Sequence, residues 1–375
     1  MILLKTFLLR LTYYLLFLHY LGWRRFWEKK RKKVERIIVI QDSGIGNMVL
    51  LTPFLENLRE NFPSSHITLI EGRNRASDLV KEGKLVDRII QYPSTPREKW
   101  RLLENLRKEK PDMVFVSFLN SHYEMAIFTY LTGAPIRVGY HSPRYAYGKG
   151  CGLLYNVRVP LPDIGKDRDE PGMALNMLRY AGIKITPYPP LVYLSQEDRK
   201  WAEEFLKKQG VKEGESLLGI HPGAGKDMAF KCWPLKNFEE LIQRLSEQKG
   251  IKILIVGGKE EETMGKKWEK EGRGNVINAA GLTTITQTAA LIENCSLFLS
   301  NDSGPMNIAY ALNIPLVVIF GPTQIPFPPG ERIKIIRRDL PCMPCYRFRE
   351  ITCTNRKCLR SITVEEVLQV LEELL

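Results

Sequence analysis

Asp302, Ser303 and Gly304 stand between a short apolar run, Cys295–Ser300, and a stretch of helical composition, Met306–Leu312. The run is the length of a buried strand. The three residues therefore fall where a strand ends and a helix begins. In an open α/β sheet, ligands sit in that crevice, and the free N–H groups of a helix start suit a phosphate. The chemistry expected is a nucleotide-diphosphate pocket with one carboxylate, Asp302, at its edge. Pro305, Met306 and Asn307 line the first helical turn of the same pocket. A second buried strand, Leu316–Phe320, is closed by Gly321-Pro322-Thr323.

Two further glycine loops follow apolar runs. In His221-Pro222-Gly223-Ala224-Gly225, backbone N–H groups can cradle a phosphate, while His221 itself reads as a packing or capping residue. In Ser43-Gly44-Ile45-Gly46-Asn47, the loop follows a strand and opens a helix, and Glu71 ends the next strand. That context also suits a dinucleotide fingerprint, and hence an NAD-dependent oxidoreductase. Val49, however, stands where the third glycine of that fingerprint belongs.

The elements around these loops alternate. Ile37–Ile40, Ile67–Ile70, Asp87–Gln91 and Met113–Phe118 read as strands with helices between them, extended by Gly133–Tyr140 and Asn156–Val159. Such alternation marks a parallel α/β sheet. Pro160–Pro171, rich in proline and charge, reads as a loop before a helix over Met173–Ala181. Ile183–Pro190 carries three prolines and reads as an interdomain connection. The strand–loop–helix pattern then repeats from Leu217. The units expected are a membrane-surface segment at 1–34, a first domain at 35–182, a linker at 183–194 and a second domain at 195–375.

A chain of 375 residues fits two domains of roughly 150 each, and its hydrophobic fraction, 44%, is ordinary for a globular protein. Of the net charge of +13, +6 lies between Arg24 and Arg36, where eight basic residues face only Glu28 and Glu35. So local an excess argues against a nucleic-acid partner and for an anionic membrane surface. The preceding residues are apolar and aromatic but interrupted by Lys5 and Arg10. Their longest charge-free stretch, Leu11–Leu18, is far short of the ~20 residues of a spanning helix. An interfacial helix with Trp23, Phe26 and Trp27 near the headgroups is expected; a tilted span or a helix packed on protein are the alternatives. Four of the seven cysteines, Cys342, Cys345, Cys353 and Cys358, cluster near the end, with spacing compatible with structural thiols, disulfides or a metal.

Four stretches in order resemble the lipopolysaccharide heptosyltransferase family, over roughly residues 36–375. They are IIVIQDSGIGNMVLLTPFLENLRENFPSSHITLI at 37–70, GIHPGAGKDMAFKCWPLKNFEELIQRL at 219–245, ILIVGGKEEE at 253–262 and the 278–323 segment. The resemblance implies a GT-B architecture: two Rossmann-like domains with parallel sheets facing across a cleft. It implies an inverting transfer of heptose from ADP-heptose, without metal or other cofactor, to a lipopolysaccharide core or lipid-linked acceptor at the cytoplasmic face of the inner membrane. The donor would meet Gly223, Ala224, Gly225, Asp302, Ser303, Gly304 and Lys231, whose Lys-Cys-Trp-Pro resembles the family's K-x-W-P. Arg73 or Arg75 would add positive charge for the leaving group. Of the two acids after Gly257-Gly258, Glu260 is chosen to hold the ribose. The acceptor would meet Ser43, Gly44 and Gly46.

The chain departs from that pattern twice. Relatives place Asp, the expected general base, where this chain has Asn47, and His where it has Asn307. An amide accepts no proton usefully at neutral pH. Asp42, in the same loop, is the first candidate to replace the base, with His122 and His141 next, and Asn47 caps its helix or orients the acceptor. The departures also suit a membrane-associated nucleotide-sugar-binding protein that has lost catalysis.

Overall fold

The computed structural model of the chain describes residues 33–375, except 73–74, 142–150, 162–168, 226–227, 249, 273, 329, 348–349, 352 and 354. The expected membrane-surface helix, with Trp23, Phe26, Trp27 and nearly all of the basic run, lies outside the described residues, as does Arg73.

The first unit runs β1 (Arg36–Gln41), α1 (Ile45–Asn61), β2 (His66–Glu71), β3 (Arg88–Gln91), α2 (Pro96–Glu109), β4 (Met113–Val116), α3 (Tyr123–Leu131), β5 (Ile136–His141), β6 (Val157–Pro160) and α4 (Glu170–Tyr180). Its six strands pair in parallel in the order β3-β2-β1-β4-β5-β6. The central strands are apolar on both faces because helices cover both. Ile38 and Ile40 pack with Leu102 and Leu106 on one side, and Ile37 and Val39 with Phe54 and Met177 on the other.

The second unit runs α5 (Gln196–Lys208), β7 (Ser216–His221), α6 (Leu235–Ser246), β8 (Ile251–Ile255), α7 (Lys259–Glu271), β9 (Val276–Asn278), α8 (Ile285–Glu293), β10 (Leu297–Asn301), α9 (Gly304–Ala311), β11 (Leu316–Phe320) and β12 (Ile333–Arg337). Its parallel order is β12-β11-β10-β7-β8-β9. A short antiparallel ribbon, β13 (Tyr346–Arg347) with β14 (Glu350–Ile351), and the helices α10 (Lys357–Arg360) and α11 (Val364–Glu372) complete it. The strand order reverses between β1 and β4 in the first sheet and between β7 and β10 in the second. The glycine loops after β1, β7 and β10 thus all sit at switch points, where doubly wound sheets open a crevice.

The two units meet through these loops. Val49, Leu50 and Leu79 of the first unit share one buried cluster with Met306, Ala309 and Phe327 of the second. Val49, in the place of a fingerprint glycine, is therefore interdomain core. The 183–194 connection carries no helix or strand, yet it is laced to α1. Asn57 donates to Thr186 O (2.9 Å) and accepts from Thr186 N (2.6 Å), and Thr52 Oγ1 accepts from Leu191 N (2.8 Å).

Two helix starts differ from expectation. Helix α4 begins at Glu170, not Met173, because Asp169 caps it by accepting from Gly172 N, and Pro171 fits the first turn, where no N–H is needed. Helix α1 begins at Ile45 with Gly44 as its N-cap. Asn47 is therefore not the cap; it lies inside the first turn with its side chain available for other contacts.

Candidate functional site

Strands β7 and β10 end side by side at His221 and Asn301, and the loops expected to meet the donor grow from there. Asn301 is fully buried and ties them together. Its Nδ2 donates to Pro222 O (2.7 Å) and Gly223 O (3.2 Å), and its Oδ1 accepts from Trp233 N (3.0 Å). Trp233 is itself fixed by its indole N–H, which donates to Ile362 O at 3.0 Å. This anchoring presents Lys231, at the end of a single helical turn over Ala229–Lys231, to the β10 loop. Lys231 Nζ lies 2.8 Å from Asp302 Oδ2, with the side chains 18% and 13% exposed.

Ser303 caps α9, accepting from Met306 N, and its hydroxyl lies 2.9 Å from both His221 Nδ1 and Ser300 Oγ. Burial pushes the His221 pKa down to about 4, so the ring is neutral near pH 7, held against the hydroxyl of the capping Ser303. Gly225 turns the β7 loop with φ +90°, a conformation that favours glycine.

The acid turned toward this loop is Glu261, not Glu260. Glu260 is exposed on the first turn of α7. Glu261 is buried; its Oε2 accepts from Gly258 N at 2.8 Å, and its Oε1 occupies the space that a side chain at Gly223 would need. Burial raises the Glu261 pKa above the ordinary carboxylate value. Neighbouring residues on a helix face directions about 100° apart, and of the two acids Glu261 has the phase that meets Gly223.

Across the units, α9 abuts α1. A Cβ on Gly304 would lie 3.2 Å from Ile45 Cβ, and a Cβ on Gly46 would collide with the Asn307 amide. Asn307 Nδ2 donates to Ser303 O at 2.9 Å, and its Oδ1 is buried with no hydrogen-bond partner among the described residues. Met306 is fully buried in the interdomain cluster, so its side chain packs. Pro305 supplies a first-turn proline, and Ala224 is half-buried in the β7 loop. The two departures from the family pattern, Asn47 and Asn307, thus flank the same glycine.

The loop after β1 distributes its groups differently from expectation. The Asp42 carboxylate is pressed against Gly72, beyond the end of β2; burial first, then the charges of Glu124 and Asp42, hold Tyr92 un-ionised. His122 occupies the N-cap position of α3 without capping through its side chain. His141 ends β5, and its Nδ1 is buried with no hydrogen-bond partner among the described residues. The carboxylate brought to Asn47 is instead Glu170, whose Oε2 accepts from Asn47 Nδ2 at 3.0 Å. Both residues line a cavity of about 30 Å³ with Gln41, Ser117 and Phe118. Gln41 Oε1 and Ser43 Oγ are buried and have no hydrogen-bond partner among the described residues.

Glu71 does not face a ligand: Ser77 N (2.9 Å), Ser77 Oγ (2.6 Å) and Gln91 Nε2 all donate to it. Near the C-terminus, Cys342, Cys345, Cys353 and Cys358 form no disulfide among the described residues, and Cys345, whose pKa is pushed up by burial and by the other three sulfurs, lies beside Cys353. The loop braces the donor turn, since Arg356 donates to Ala229 O at 3.0 Å.

Sequence reasoning did not single out Glu170, and it ranked Glu261 second to Glu260. Asp169-Glu170-Pro171 is a helix-start signal of cap, acid and proline that could have placed Glu170 on a first turn. No local signal joins it to Asn47.

Two doubly wound parallel sheets, facing each other through the loops at their switch points, define the GT-B architecture of glycosyltransferases. The chain belongs to glycosyltransferase family 9 (heptosyltransferase), whose model matches residues 99–357. A lipooligosaccharide heptosyltransferase 2 of Campylobacter jejuni is 32% identical over 170 residues, which are 44% of this chain and 53% of that protein. The chain thus spans about half the length of that relative. A lipooligosaccharide heptosyltransferase 2 of Haemophilus influenzae is 28% identical over 363 residues, 90% of this chain and 99% of that protein. The solved Escherichia coli ADP-heptose lipopolysaccharide heptosyltransferase II superposes with a TM-score of 0.69 at 22% identity, covering 90% of this chain and 98% of that one, a likeness of fold.

Proposed function

We propose that this protein transfers a heptose from ADP-heptose to a lipopolysaccharide core or lipid-linked oligosaccharide, with inversion and without a metal. The observation that carries the reading is the Lys231–Asp302 pair at the β7/β10 switch point, beside the capped start of α9. A diphosphate placed there meets the Lys231 ammonium, the N–H groups of the α9 first turn and the loop 222–225. These groups stabilise the charge that develops on the leaving nucleotide. Glu261, turned toward Gly223, is the acid we assign to a ribose hydroxyl. The acceptor enters on the β1 side, where Gln41 Oε1 and Ser43 Oγ can accept from sugar hydroxyls.

No helix among the described residues is long and apolar enough to cross a membrane. We place the enzyme at the cytoplasmic face of the inner membrane, held by the apolar, basic segment before residue 35. This suits an acceptor embedded in that leaflet.

A second reading, nucleotide-sugar binding without catalysis, is favoured by Asn47 and Asn307. The dinucleotide reading is disfavoured by Glu71, which is engaged inside its own unit, and by Gly46, whose open face is filled by Asn307. The test is thermal stabilisation by ADP, ADP-heptose, UDP-sugars and NAD, followed by a transfer assay on a truncated lipopolysaccharide core. A ligand that binds the native state raises its melting temperature. Stabilisation by ADP-heptose and product formation are expected. Stabilisation by NAD alone would overturn the transferase reading, and stabilisation by ADP-heptose without product would favour the binding reading.

A further inference from the structure

The carboxylate nearest to position 47 comes from another part of the chain. Asn47 Nδ2 donates to Glu170 Oε2 at 3.0 Å, across 123 residues. Glu170 lies in the first turn of α4, half-buried, at the seam between the units: its backbone N–H donates to Pro326 O of the second unit at 2.9 Å. It also lines the cavity beside Asn47 into which Gln41 and Ser117 open. Gln41 Oε1, buried and without a hydrogen-bond partner among the described residues, marks the same place as one suited to a hydroxyl donor.

We propose that Glu170 is the general base of this enzyme and that Asn47 is the residue that positions it. The assignment rests on the transferase reading above. An ionised carboxylate has about four lone-pair sites, so it can accept from the Asn47 amide and from an acceptor hydroxyl together. In the step, the acceptor oxygen forms a bond to the anomeric carbon and its proton passes to the Glu170 carboxylate. The bond between the anomeric carbon and the diphosphate oxygen breaks, and its electron pair leaves with ADP. An Asp at position 47 and a Glu at position 170 are then two ways of bringing one carboxylate to one place. The amide at 47 becomes intelligible, because two carboxylates in contact would repel and one would take up a proton.

The experiment compares the full-length wild type with Glu170→Gln, Glu170→Asp, Asn47→Asp and the double variant Asn47→Asp/Glu170→Gln. Donor is ADP-heptose and acceptor a truncated lipopolysaccharide core. Glu170→Gln should lower turnover ~100-fold or more, remove the acidic limb of the pH–rate profile and leave ADP-heptose affinity by calorimetry within about twofold. Glu170→Asp, which keeps the carboxylate, should retain more activity than Glu170→Gln. The double variant should regain at least about tenfold over Glu170→Gln, since the carboxylate returns from the other side. A wild type that turns over and a folded Glu170→Gln of equal activity would overturn the Glu170 assignment alone. A Glu170→Gln that fails to fold leaves the decision to Glu170→Asp and the wild-type profile: no acidic limb also overturns it. A silent wild type would sink the transferase reading with it, most clearly if Asn47→Asp alone creates activity.

Discussion

Lys231 Nζ lies 2.8 Å from Asp302 Oδ2, and both side chains are more than four-fifths buried. The pair joins two loops that are 71 residues apart in sequence. Truncating one partner leaves the other charge partly desolvated, so the two substitutions cannot be additive. Lys231→Ala should weaken ADP binding by about 1–3 kcal/mol, the range for hydrogen bonds to charged groups. Adding Asp302→Asn should restore part of that loss by removing a carboxylate that would otherwise face the diphosphate. Calorimetry on the four members of the cycle checks this; strictly additive effects would separate the pair from the nucleotide.

Glu261 and Glu260 are adjacent, but only Glu261 reaches Gly223. Glu261→Gln should weaken nucleotide binding several-fold, whereas Glu260→Gln should leave affinity within about twofold, as expected for an exposed surface change. The reverse order in a calorimetric titration would return the ribose to Glu260.

Gly46 packs against the Asn307 amide. Gly46→Ala should cost about 1–3 kcal/mol, the range for overpacking a filled site. Gly46→Ala/Asn307→Ala should recover most of it, because the second change vacates the space. Urea unfolding of the single and double variants measures both; equal loss in the double variant would locate the strain elsewhere.

His221 titrates near 6.5 when unfolded and at about 4 in the fold, where burial disfavours the imidazolium. Between those values the unfolded chain binds more protons, so stability is greatest above about pH 6.5 and declines as pH falls toward 4. The full difference is on the order of 3 kcal/mol. His221→Gln, which keeps a polar group toward Ser303 but does not titrate, should flatten the stability–pH curve in this window. An unchanged slope would assign the titration to other groups.

Deleting residues 1–34 should leave the fold intact and abolish sedimentation with anionic vesicles. At roughly 1 kcal/mol per basic residue near such a surface, the clustered charges would dominate the attraction. Equal sedimentation of the shortened and full-length proteins would remove the anchor.

Much of the architecture was legible because central strands buried on both faces read as unbroken apolar runs. Ile37–Ile40 and Leu316–Phe320 could hardly be anything else between glycine loops. Loops that follow apolar strands, such as those holding Asp302 and Lys231, were legible as a set of motifs. Glu170 was not, because its neighbour Asn47 is 123 residues away and the stretch before it is dominated by proline and charge. Which of Glu260 and Glu261 turns toward Gly223 was not legible for a local reason. The first turn of α7 presents three consecutive glutamates, Glu260, Glu261 and Glu262, so no apolar period sets the phase. Asp42 was nearest in sequence but sits against Gly72, since the chain leaving β1 bends toward β2.

The lacing of residues 183–194 onto α1 has a mechanical consequence. Tyr193 N still donates to Leu79 O of the first unit at 2.8 Å, while Leu194 is already buried in the shared cluster and Ser195 caps α5 of the second. The connection travels with the first unit almost to its last residue. Any swing of one unit about the other must then turn on one or two peptide bonds at Tyr193–Ser195. A hinge that short constrains the units as an axle does, not as a tether: it leaves them rotation about Tyr193–Ser195 and opposes their sliding out of register.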